Sequence, residues 1–313
     1  MRVCYICNKL INESQEMYHK KCSLQFFNTY PPPSLDIKQE LLEEYAQILT
    51  GHKITIPGVQ KKISIAYTDD SLKNSSRLTV IGLGGGFILK LPTEEFPFLP
   101  ELEYASMHLA KHFEIQTVPF ALIPMQTGEL AYITRRIDRD QNTKKKVPME
   151  DFCQIMERLT EDKYKGSLES VGKRLKSISI YSVLDVYNFF VVNLFSWLIG
   201  NSDMHLKNFS MYYTIDGYRL TPLYDLLATH LLLPEDKEEV ALTLNGKKAN
   251  INKRDWFLFA ENIGITEKTR MKLWARVQKI IPTVLESISE YPLPTEIQNK
   301  WKKLISDRWN LIL

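Results

Sequence analysis

A marked excess of either charge is absent from this 313-residue chain, which carries 40 Lys and Arg against 37 Asp and Glu. The formal net charge of +3 is small for this length and is spread along the sequence. It therefore gives no electrostatic reason to expect direct binding of nucleic acid.

A long uninterrupted apolar run is also absent. The longest apolar segment, residues 183–199, contains Asp185, Asn188 and Asn193, and it is shorter than the about 20 residues that a membrane-spanning helix needs. We interpret it as a buried helix and expect no membrane contact. The N-terminus has two cysteines where a signal peptide has its apolar core, so we expect a cytoplasmic protein.

Cysteine is scarce, with four in the chain, and three of them lie within the first 22 residues. Cys4 and Cys7 are separated by two residues, and His19 and Cys22 follow with the same spacing. Two close pairs of soft ligands predict a structural Zn²⁺ site with all four positions filled. The alternative is a set of buried or disulfide-forming cysteines, and a cytoplasmic location argues against disulfides. Cys153 is expected to be a small core residue.

Internal repeats and long low-complexity segments are absent as well, and the length suits two lobes. Three consecutive prolines predict a stiff linker that ends a short Cys/His knuckle over residues 1–33. A mixed N-lobe is expected over residues 34–140, beginning with a helix at 35–49 that Ser34 caps. Residues 53–67 are predicted to be a turn at Gly58 that leads into an alternating strand, and further strands are predicted at residues 87–91, 118–124 and 130–137.

The remaining chain, residues 141–313, is predicted to be a mainly helical C-lobe. Pro148 is placed at a helix start, and a long helix is expected at 181–199. A hairpin is predicted from strands 211–213 and 218–220, joined at Asp216 and Gly217. Further amphipathic helices are expected at residues 256–263, 267–281 and 295–311.

Lys90 is a single cation inside an apolar strand, where burial is costly unless the ammonium group faces an anion. Protein kinases use such a strand lysine to hold nucleotide phosphates, and a glutamate on the next helix pairs with it. Glu103, on a helix predicted from Pro100, is the candidate partner. The alternatives are a solvent-facing Lys90 and an acidic first turn that only complements the helix dipole. The glycines at 82 and 84–86 precede this strand, so they predict a hairpin tip and not a dinucleotide loop.

Asp203, Asn208 and Asp225 form the most informative pattern in the sequence. Asp203 and Asn208 are separated by four residues, and Asp225 follows seventeen residues after the asparagine. Phosphoryl-transfer sites use one Asp to orient the attacking hydroxyl, and an Asn and a second Asp to bind Mg²⁺. The alternative is that the Gly-Asn-Ser-Asp segment is only a turn.

Taken together, several segments resemble the HipA family of bacterial serine/threonine kinases. These are Gly58–Ser64, Phe87–Pro92, Glu103, Arg135–Arg139, Met149–Gln154, Gly200–Ser210 and Leu220–Leu227. Because the sequence has no counterpart of the extra N-terminal subdomain of HipA, it is most similar to the short HipT kinases of three-part toxin–antitoxin systems. The resemblance implies an α+β, two-lobed protein-kinase-like fold that uses ATP and Mg²⁺.

The resemblance also implies a role for each matching residue. Asp203 would be the catalytic aspartate, Asn208 and Asp225 the Mg²⁺ ligands, and Lys90 the phosphate-binding lysine. Gly58, Val59, Gln60 and Lys61 would form the loop on the phosphate side. His205 is expected to orient the catalytic loop, although it could equally be a structural histidine.

Regulation and partners are implied in the same way. HipT-like kinases phosphorylate hydroxyl residues just before this loop, and Pro57 leaves Thr55 as the candidate here. The implied partners are a protein substrate such as an aminoacyl-tRNA synthetase, and HipS-like and HipB-like antitoxins. Two other functions compete: a small-molecule phosphotransferase, which also uses an Asp and an Asn at this interval, and a non-catalytic pseudokinase.

Overall fold

The computed structural model describes residues 3–11, 16–35, 62–70, 75–80, 85–96, 98–140, 143 and 145–313. The chain divides into two compact units. The first unit comprises Met1–Tyr104 and Val118–Lys146, and the second comprises Ala105–Thr117 and Val147–Leu313. The helix that contains Glu103 therefore begins in the first unit and ends in the second.

The first unit is built on a six-stranded sheet. Its strands are β1 (Ser34–Leu35), β2 (Lys62–Asp70), β3 (Ser75–Val80), β4 (Phe87–Lys90), β5 (Phe120–Pro124) and β6 (Leu130–Arg135). Their order across the sheet is β1-β3-β2-β4-β6-β5, and every pair except β1 with β3 is antiparallel. Alternating apolar residues of β2 and β4, among them Ile63, Ile65, Phe87 and Leu89, form the core of this unit.

Two helices are described in the first unit or begin there, α1 (Lys20–Phe27) and α2 (Leu99–Leu109). Strand β1 corrects one prediction, because Ser34 and Leu35 pair in parallel with Arg77 and Leu78 of β3 and do not begin a helix. The rest of the predicted helix, residues 36–49, lies outside the described residues.

The hairpin predicted at the glycine segment does not join the two strands on either side of it. Strands β3 and β4 both pair with β2, on opposite sides, and Ile65 is the partner of Val80 on one side and of Phe87 on the other. Gly82 and Gly84 lie outside the described residues. Gly85, just before β4, lies close to β2, since a Cβ atom there would be 2.4 Å from the Ile65 carbonyl oxygen.

We expect Gly85→Ala to lower the free energy of unfolding by about 1–3 kcal/mol, because the added methyl group meets the backbone of a central strand. Gly86→Ala is the matched control, since a Cβ atom on Gly86 has no neighbour within 4 Å. It should change stability by less than about 1 kcal/mol. Urea denaturation of both variants measures the difference, and equal midpoints would contradict the close approach of Gly85 to β2.

The second unit is mainly helical, with a small sheet. Its helices are α3 (Phe152–Ile155), α4 (Leu168–Ile178), α5 (Ser182–Ile199), α6 (Lys253–Asn262), α7 (Glu267–Ser287) and α8 (Thr295–Ile312). The sheet has the order β7 (Met149–Asp151), β8 (Ser210–Thr214), β9 (Gly217–Leu220). Large aromatic side chains fill the core, including Phe189, Phe190, Trp197, Trp256 and Trp301.

Helix α5 is the buried helix that the apolar segment predicted, but the expectation that it is too short to span a membrane was wrong. It begins at Ser182, and its 18 residues are long and apolar enough to cross a membrane by length and composition alone. However, 72% of this span is buried inside the protein. No other described helix meets the same criteria.

Two local predictions in the second unit are corrected. Residues Met149–Asp151, expected to open a helix at Pro148, form strand β7 because they pair with Ser210–Tyr212 of β8. The predicted hairpin is present, but Thr214 pairs with Gly217, so the turn residues are Ile215 and Asp216. Cys153 is buried on α3, as expected.

Candidate active site

Lys90 and Glu103 form a buried ion pair in the first unit. The Lys90 Nζ and Glu103 Oε1 atoms are 2.5 Å apart, and the side chains are 4% and 2% exposed. Lys90 is paired across the sheet with Tyr132 of β6, and its Nζ lies 5.4 Å from the centre of that ring. The predicted contact is therefore present, and the solvent-facing alternative for Lys90 is wrong. Two buried charges of opposite sign must stay together, because either one alone would be costly in this apolar site.

Glu101, two residues earlier on α2, has a different environment. It is buried, and its Oε2 atom has no hydrogen-bond partner. Desolvation raises the pKa of Glu101 to about 7, and the negative charge of Glu129 contributes to the rise. The burial and raised pKa of Glu101 are not explained by the alternative that the acidic first turn only complements the helix dipole.

The raised pKa predicts a pH-dependent stability. The folded protein holds the Glu101 proton up to about pH 7, whereas the unfolded chain releases it near the ordinary value of 4.5. This contribution is complete below pH 4.5 and is lost as the pH rises through about 7. Glu101→Gln cannot ionise, so at pH 8 it should be about 1–2 kcal/mol more stable than the wild type, allowing for partial solvent screening.

Denaturation at pH 5 and pH 8 measures this difference. Glu95→Gln, at an exposed position of the same unit, is the control and should have no pH-dependent effect. If the stability of Glu101→Gln relative to the wild type were the same at pH 5 and pH 8, the pKa of Glu101 would not be raised in the folded protein.

In the second unit, the end of α5 places Asp203. Gly200 caps the helix in a left-handed conformation (φ 87°), which favours glycine. A Cβ atom there would lie 2.5 Å from the end of the Leu304 side chain, which would have to shift. The Asn201 side chain then accepts a hydrogen bond from the Asp203 backbone N–H at 2.9 Å. The loop is thus rigid immediately before the Asp203 carboxylate, which remains partly exposed.

Tyr164 is a partner of Asp203 that sequence reasoning missed. Its hydroxyl donates a hydrogen bond to Asp203 Oδ1 at 2.7 Å. Burial, and then this hydrogen bond, raise the pKa of Tyr164, so the phenol remains a donor at neutral pH. One carboxylate oxygen is therefore occupied, and Oδ2 is the oxygen left for another ligand. Nothing in the local sequence around Tyr164, which is 39 residues away, indicates this contact.

His205 contributes to the loop mainly through its backbone. Its N–H donates to the Asn208 side-chain oxygen at 3.0 Å, and its carbonyl accepts from the Asn208 N–H at 3.0 Å. The imidazole packs edge-on against Tyr164, and its buried Nδ1 atom has no hydrogen-bond partner. Burial lowers the pKa of His205 although Asp203 opposes the change, so the ring is neutral at physiological pH. The expected role in orienting the loop remains a prediction for the ring.

Asn208 and Asp225 are brought together. The Asn208 Nδ2 atom lies 3.4 Å from Asp225 Oδ2. Asp225 has a left-handed backbone (φ 59°), which is uncommon for a residue other than glycine and occurs often at functional sites. Asn208 is buried, whereas Asp225 is partly exposed.

Tyr224 explains how two segments so far apart in sequence meet. Its hydroxyl donates to the Lys207 carbonyl at 3.0 Å and lies 2.5 Å from the Ser210 hydroxyl. The residue next to Asp225 is thereby tied to both sides of Asn208. Lys207 is itself anchored by an ion pair with Asp151, at 2.8 Å.

The donor set of Asn208 and Asp225 fits Mg²⁺. An amide oxygen and a carboxylate are the hard ligands that this ion takes, and the two side chains that offer them are neighbours here, with the Asn208 Nδ2 atom facing Asp225 Oδ2. The Asn208 oxygen accepts one backbone hydrogen bond and has a second lone pair. The predicted phosphate-side residues Gly58, Val59, Gln60 and Lys61, and the predicted modification site Thr55, lie outside the described residues.

The four predicted zinc ligands form a separate cluster in the first unit. One ligand atom from each of Cys4, Cys7, His19 and Cys22 lies within 4.8 Å of the others. All four cysteines of the chain, including Cys153, are free thiols, so the disulfide alternative is wrong in this structure.

The fold and the two charged clusters define a protein of the kinase-like class. The family model described as the HipA-like C-terminal domain matches residues 54–286, and the chain belongs to this family. Among its relatives, Putative kinase Y4dM of Sinorhizobium fredii is 30% identical over 283 residues, which cover 86% of this chain and 64% of the relative. A second, from Haemophilus influenzae and named a Putative kinase, is 26% identical over 87% of this chain and 82% of its own length.

Two solved structures share the fold. HipA of Shewanella oneidensis, in a complex with HipB and operator DNA, superposes with a TM-score of 0.68 at 19% identity, over 91% of this chain and 73% of that chain. The proinflammatory kinase CtkA of Helicobacter pylori gives a TM-score of 0.51 at 15% identity, over 75% and 87% of the two chains. The chain spans just under two thirds of the length of Y4dM, and the same share of a further Sinorhizobium fredii relative, Putative kinase Y4mE.

Proposed function

We propose that this protein is an ATP-dependent serine/threonine protein kinase of the HipA type. The observation that carries the proposal is the contact between Asn208 and Asp225 beside the loop that presents Asp203. A turn without function does not need a partly exposed carboxylate held by a distant tyrosine, nor a second carboxylate on a left-handed backbone. The buried Lys90–Glu103 pair is an independent feature of the same chemistry.

In this proposal each side chain has one task. Asp203 accepts a hydrogen bond from the substrate hydroxyl at Oδ2 and takes its proton as the hydroxyl oxygen bonds to the γ-phosphorus of ATP. The bond from that phosphorus to the β–γ bridging oxygen breaks at the same time, and ADP leaves. Asn208 and Asp225 hold Mg²⁺, which neutralises phosphate charge when bound. Lys90 binds phosphate oxygens, and Glu103 keeps its ammonium group in one position. Tyr164 fixes the Asp203 carboxylate in one rotamer.

The biological role that we propose is that of a growth-inhibiting toxin of the short HipT type. The fold shared with a HipA found in complex with HipB and operator DNA supports a HipB-like antitoxin partner. A HipS-like partner is proposed from the resemblance to the short HipT kinases alone. The protein substrate that we propose is a translation protein such as an aminoacyl-tRNA synthetase. Direct contact with nucleic acid is not part of the proposal, because the net charge of this chain is only +3.

Autophosphorylation at Thr55 is proposed as the regulatory step. A phosphate adds a charge of about −1.5 to −2 close to a loop that would bind ATP phosphates, so it should weaken ATP binding. Thr55→Ala should prevent the modification and keep the higher ATP affinity. Titration of nucleotide into unmodified, phosphorylated and Thr55→Ala protein tests this step, and three equal affinities would exclude it.

The proposed activity is tested by incubating the protein with γ-³²P-labelled ATP and a bacterial lysate. Labelled protein bands containing phosphoserine or phosphothreonine are the expected result. Label in small molecules alone would show a small-molecule phosphotransferase. Absence of any transfer by the wild type, with Mg²⁺ present, would indicate a pseudokinase.

A further inference from the structure

The N-terminal Cys/His cluster has the geometry of a tetrahedral metal site. For Zn–S bonds of about 2.3 Å and a Zn–N bond of about 2.0 Å, the sulfur–nitrogen edge of a tetrahedron is about 3.5 Å. The Nδ1 atom of His19 lies 3.4 Å from Cys7 Sγ and 3.8 Å from Cys22 Sγ. Ligand types and spacing therefore both match Zn²⁺.

Contacts around the cluster prepare its atoms to bind a metal. The Nε2 atom of His19 lies 3.0 Å from the Leu10 carbonyl oxygen. Since a carbonyl only accepts, Nε2 carries the proton, and the lone pair of Nδ1 is directed to the ligand side. The backbone N–H of His19 in turn donates to Cys4 Sγ at 3.5 Å, which holds this sulfur beside the imidazole.

The cluster also orders a very short segment. The Cys4 N–H donates to the Lys9 carbonyl, and Asn8, in a left-handed conformation, donates its N–H to the Cys4 carbonyl, both at 2.8 Å. Val3 and Leu10 form an isolated antiparallel bridge. Such a turn followed by one eight-residue helix buries little apolar surface within itself, so its order depends on packing against the sheet, through Tyr18, Phe26 and Phe27, and would be increased by a metal cross-link.

This segment covers one edge of the six-stranded sheet. Strand β5 is an edge strand, and its Leu122 N–H donates to the Tyr5 carbonyl at 2.9 Å. The Leu122 carbonyl accepts from the Tyr18 hydroxyl at 2.8 Å. An edge strand left open would expose these groups to pairing with other chains.

Two further contacts lead from the cluster to the Lys90–Glu103 pair. The Tyr104 hydroxyl, next to Glu103 on α2, donates to the Cys4 carbonyl at 3.3 Å. On α1, which contains Cys22, the Phe26 ring packs 5.8 Å from that of Phe87 on β4, the strand that ends at Lys90.

We propose that Cys4, Cys7, His19 and Cys22 bind one structural Zn²⁺, and that this zinc knuckle locks the β5 edge and supports the helix that carries Glu103. Metal binding is independent of the proposed kinase activity. The effect of the knuckle on the β5 edge and on the helix that carries Glu103 is measured by hydrogen exchange, without any activity assay.

Metal analysis of the full-length protein, purified without added metal, tests the site. About one zinc per chain is expected in the wild type and in Cys153→Ser, the matched control at the free thiol outside the cluster. Cys7→Ser and Cys22→Ser should each retain less than about a tenth of this amount. Zinc retained in full by both variants, or absent from the wild type and not taken up on titration, would overturn the proposal.

Because these variants could fail to fold, the wild type provides a second test. Metal-stripped protein titrated with Co²⁺ should develop thiolate charge-transfer and tetrahedral d–d absorption that saturates at one equivalent. No such absorption would refute a site of three sulfurs and one nitrogen.

Hydrogen exchange of the wild type, with and without a chelator, tests whether the metal holds the knuckle against the β5 edge. Removing the metal should speed amide exchange at Leu122 at least tenfold. Exchange in peptides that contain Tyr104 should also become faster. The Leu223 amide, bonded to the Gln116 carbonyl at 2.8 Å in the second unit, is the internal control and should not change. Unchanged exchange at Leu122 after full metal loss would rule out the lock while leaving metal binding intact.

Discussion

Asp203→Asn is expected to reduce phosphoryl transfer by about 10²–10⁴-fold, because the amide cannot take the proton of the attacking hydroxyl. The substitution changes no volume, and the amide oxygen can still accept the hydrogen bond that Tyr164 donates to Oδ1. The thermal midpoint should therefore stay close to that of the wild type. Initial rates with labelled ATP, measured at saturating nucleotide, give the change in kcat.

Asp216→Asn is the matched control, since Asp216 is exposed in the β8–β9 turn. This substitution removes one negative charge, as Asp203→Asn does. Its rate should equal that of the wild type. Tyr164→Phe isolates the positioning effect: it removes only the hydroxyl that holds Asp203, and a smaller loss of kcat with little change in the KM for ATP is expected. If Asp203→Asn transferred phosphate at the wild-type rate, Asp203 could not be the proton acceptor.

Breaking the Lys90–Glu103 pair should have the largest effect on stability. Lys90→Met leaves the Glu103 carboxylate without its 2.5 Å partner, in a site where that side chain is 2% exposed. Removing one member of a buried pair costs about 3–5 kcal/mol. Glu103→Leu should cost a similar amount, because it leaves the ammonium group of Lys90 buried without its carboxylate.

The double variant Lys90→Met/Glu103→Leu separates the pair from its neighbours. Replacing both charges by apolar groups of similar volume removes the unpaired charge, so the double variant should be more stable than either single variant. Transfer activity should be lost in all three, because none retains the lysine and glutamate together. Urea denaturation of the four proteins completes the cycle, and additive destabilisation would mean that the two charges do not act as a pair.

Much of the candidate site was predictable because its signals are local. Asp203 and Asn208 lie within one short loop after a helix that ends at glycine, and Asp225 follows a hairpin of predictable length. Lys90 stands out as a charge in an apolar strand, and Glu103 lies on the helix that follows. The four residues proposed to bind zinc are recognisable from two spacings of two residues.

Other features could not be predicted, since they depend on segments distant in sequence. Tyr164 contacts Asp203 across 39 residues, and the Lys207–Asp151 ion pair joins residues 56 positions apart. Met149–Asp151 forms a strand instead of a helix only because β8 offers it a partner. Strand β2 lies between β3 and β4 for the same reason, since the strand order is decided by pairing and not by the glycines.

The sequence by itself thus determined which residues carry charge or a ligand atom and which short segments hold them, because periodicity and turn chemistry act over a few residues. Only the tertiary structure decided what each group faces. The buried Lys90 ammonium is paired, Glu101 has an unpaired buried oxygen, and Asp203 has one oxygen occupied by a phenol. These differences arise from desolvation and from contacts between distant segments, and both exist only once the chain is packed.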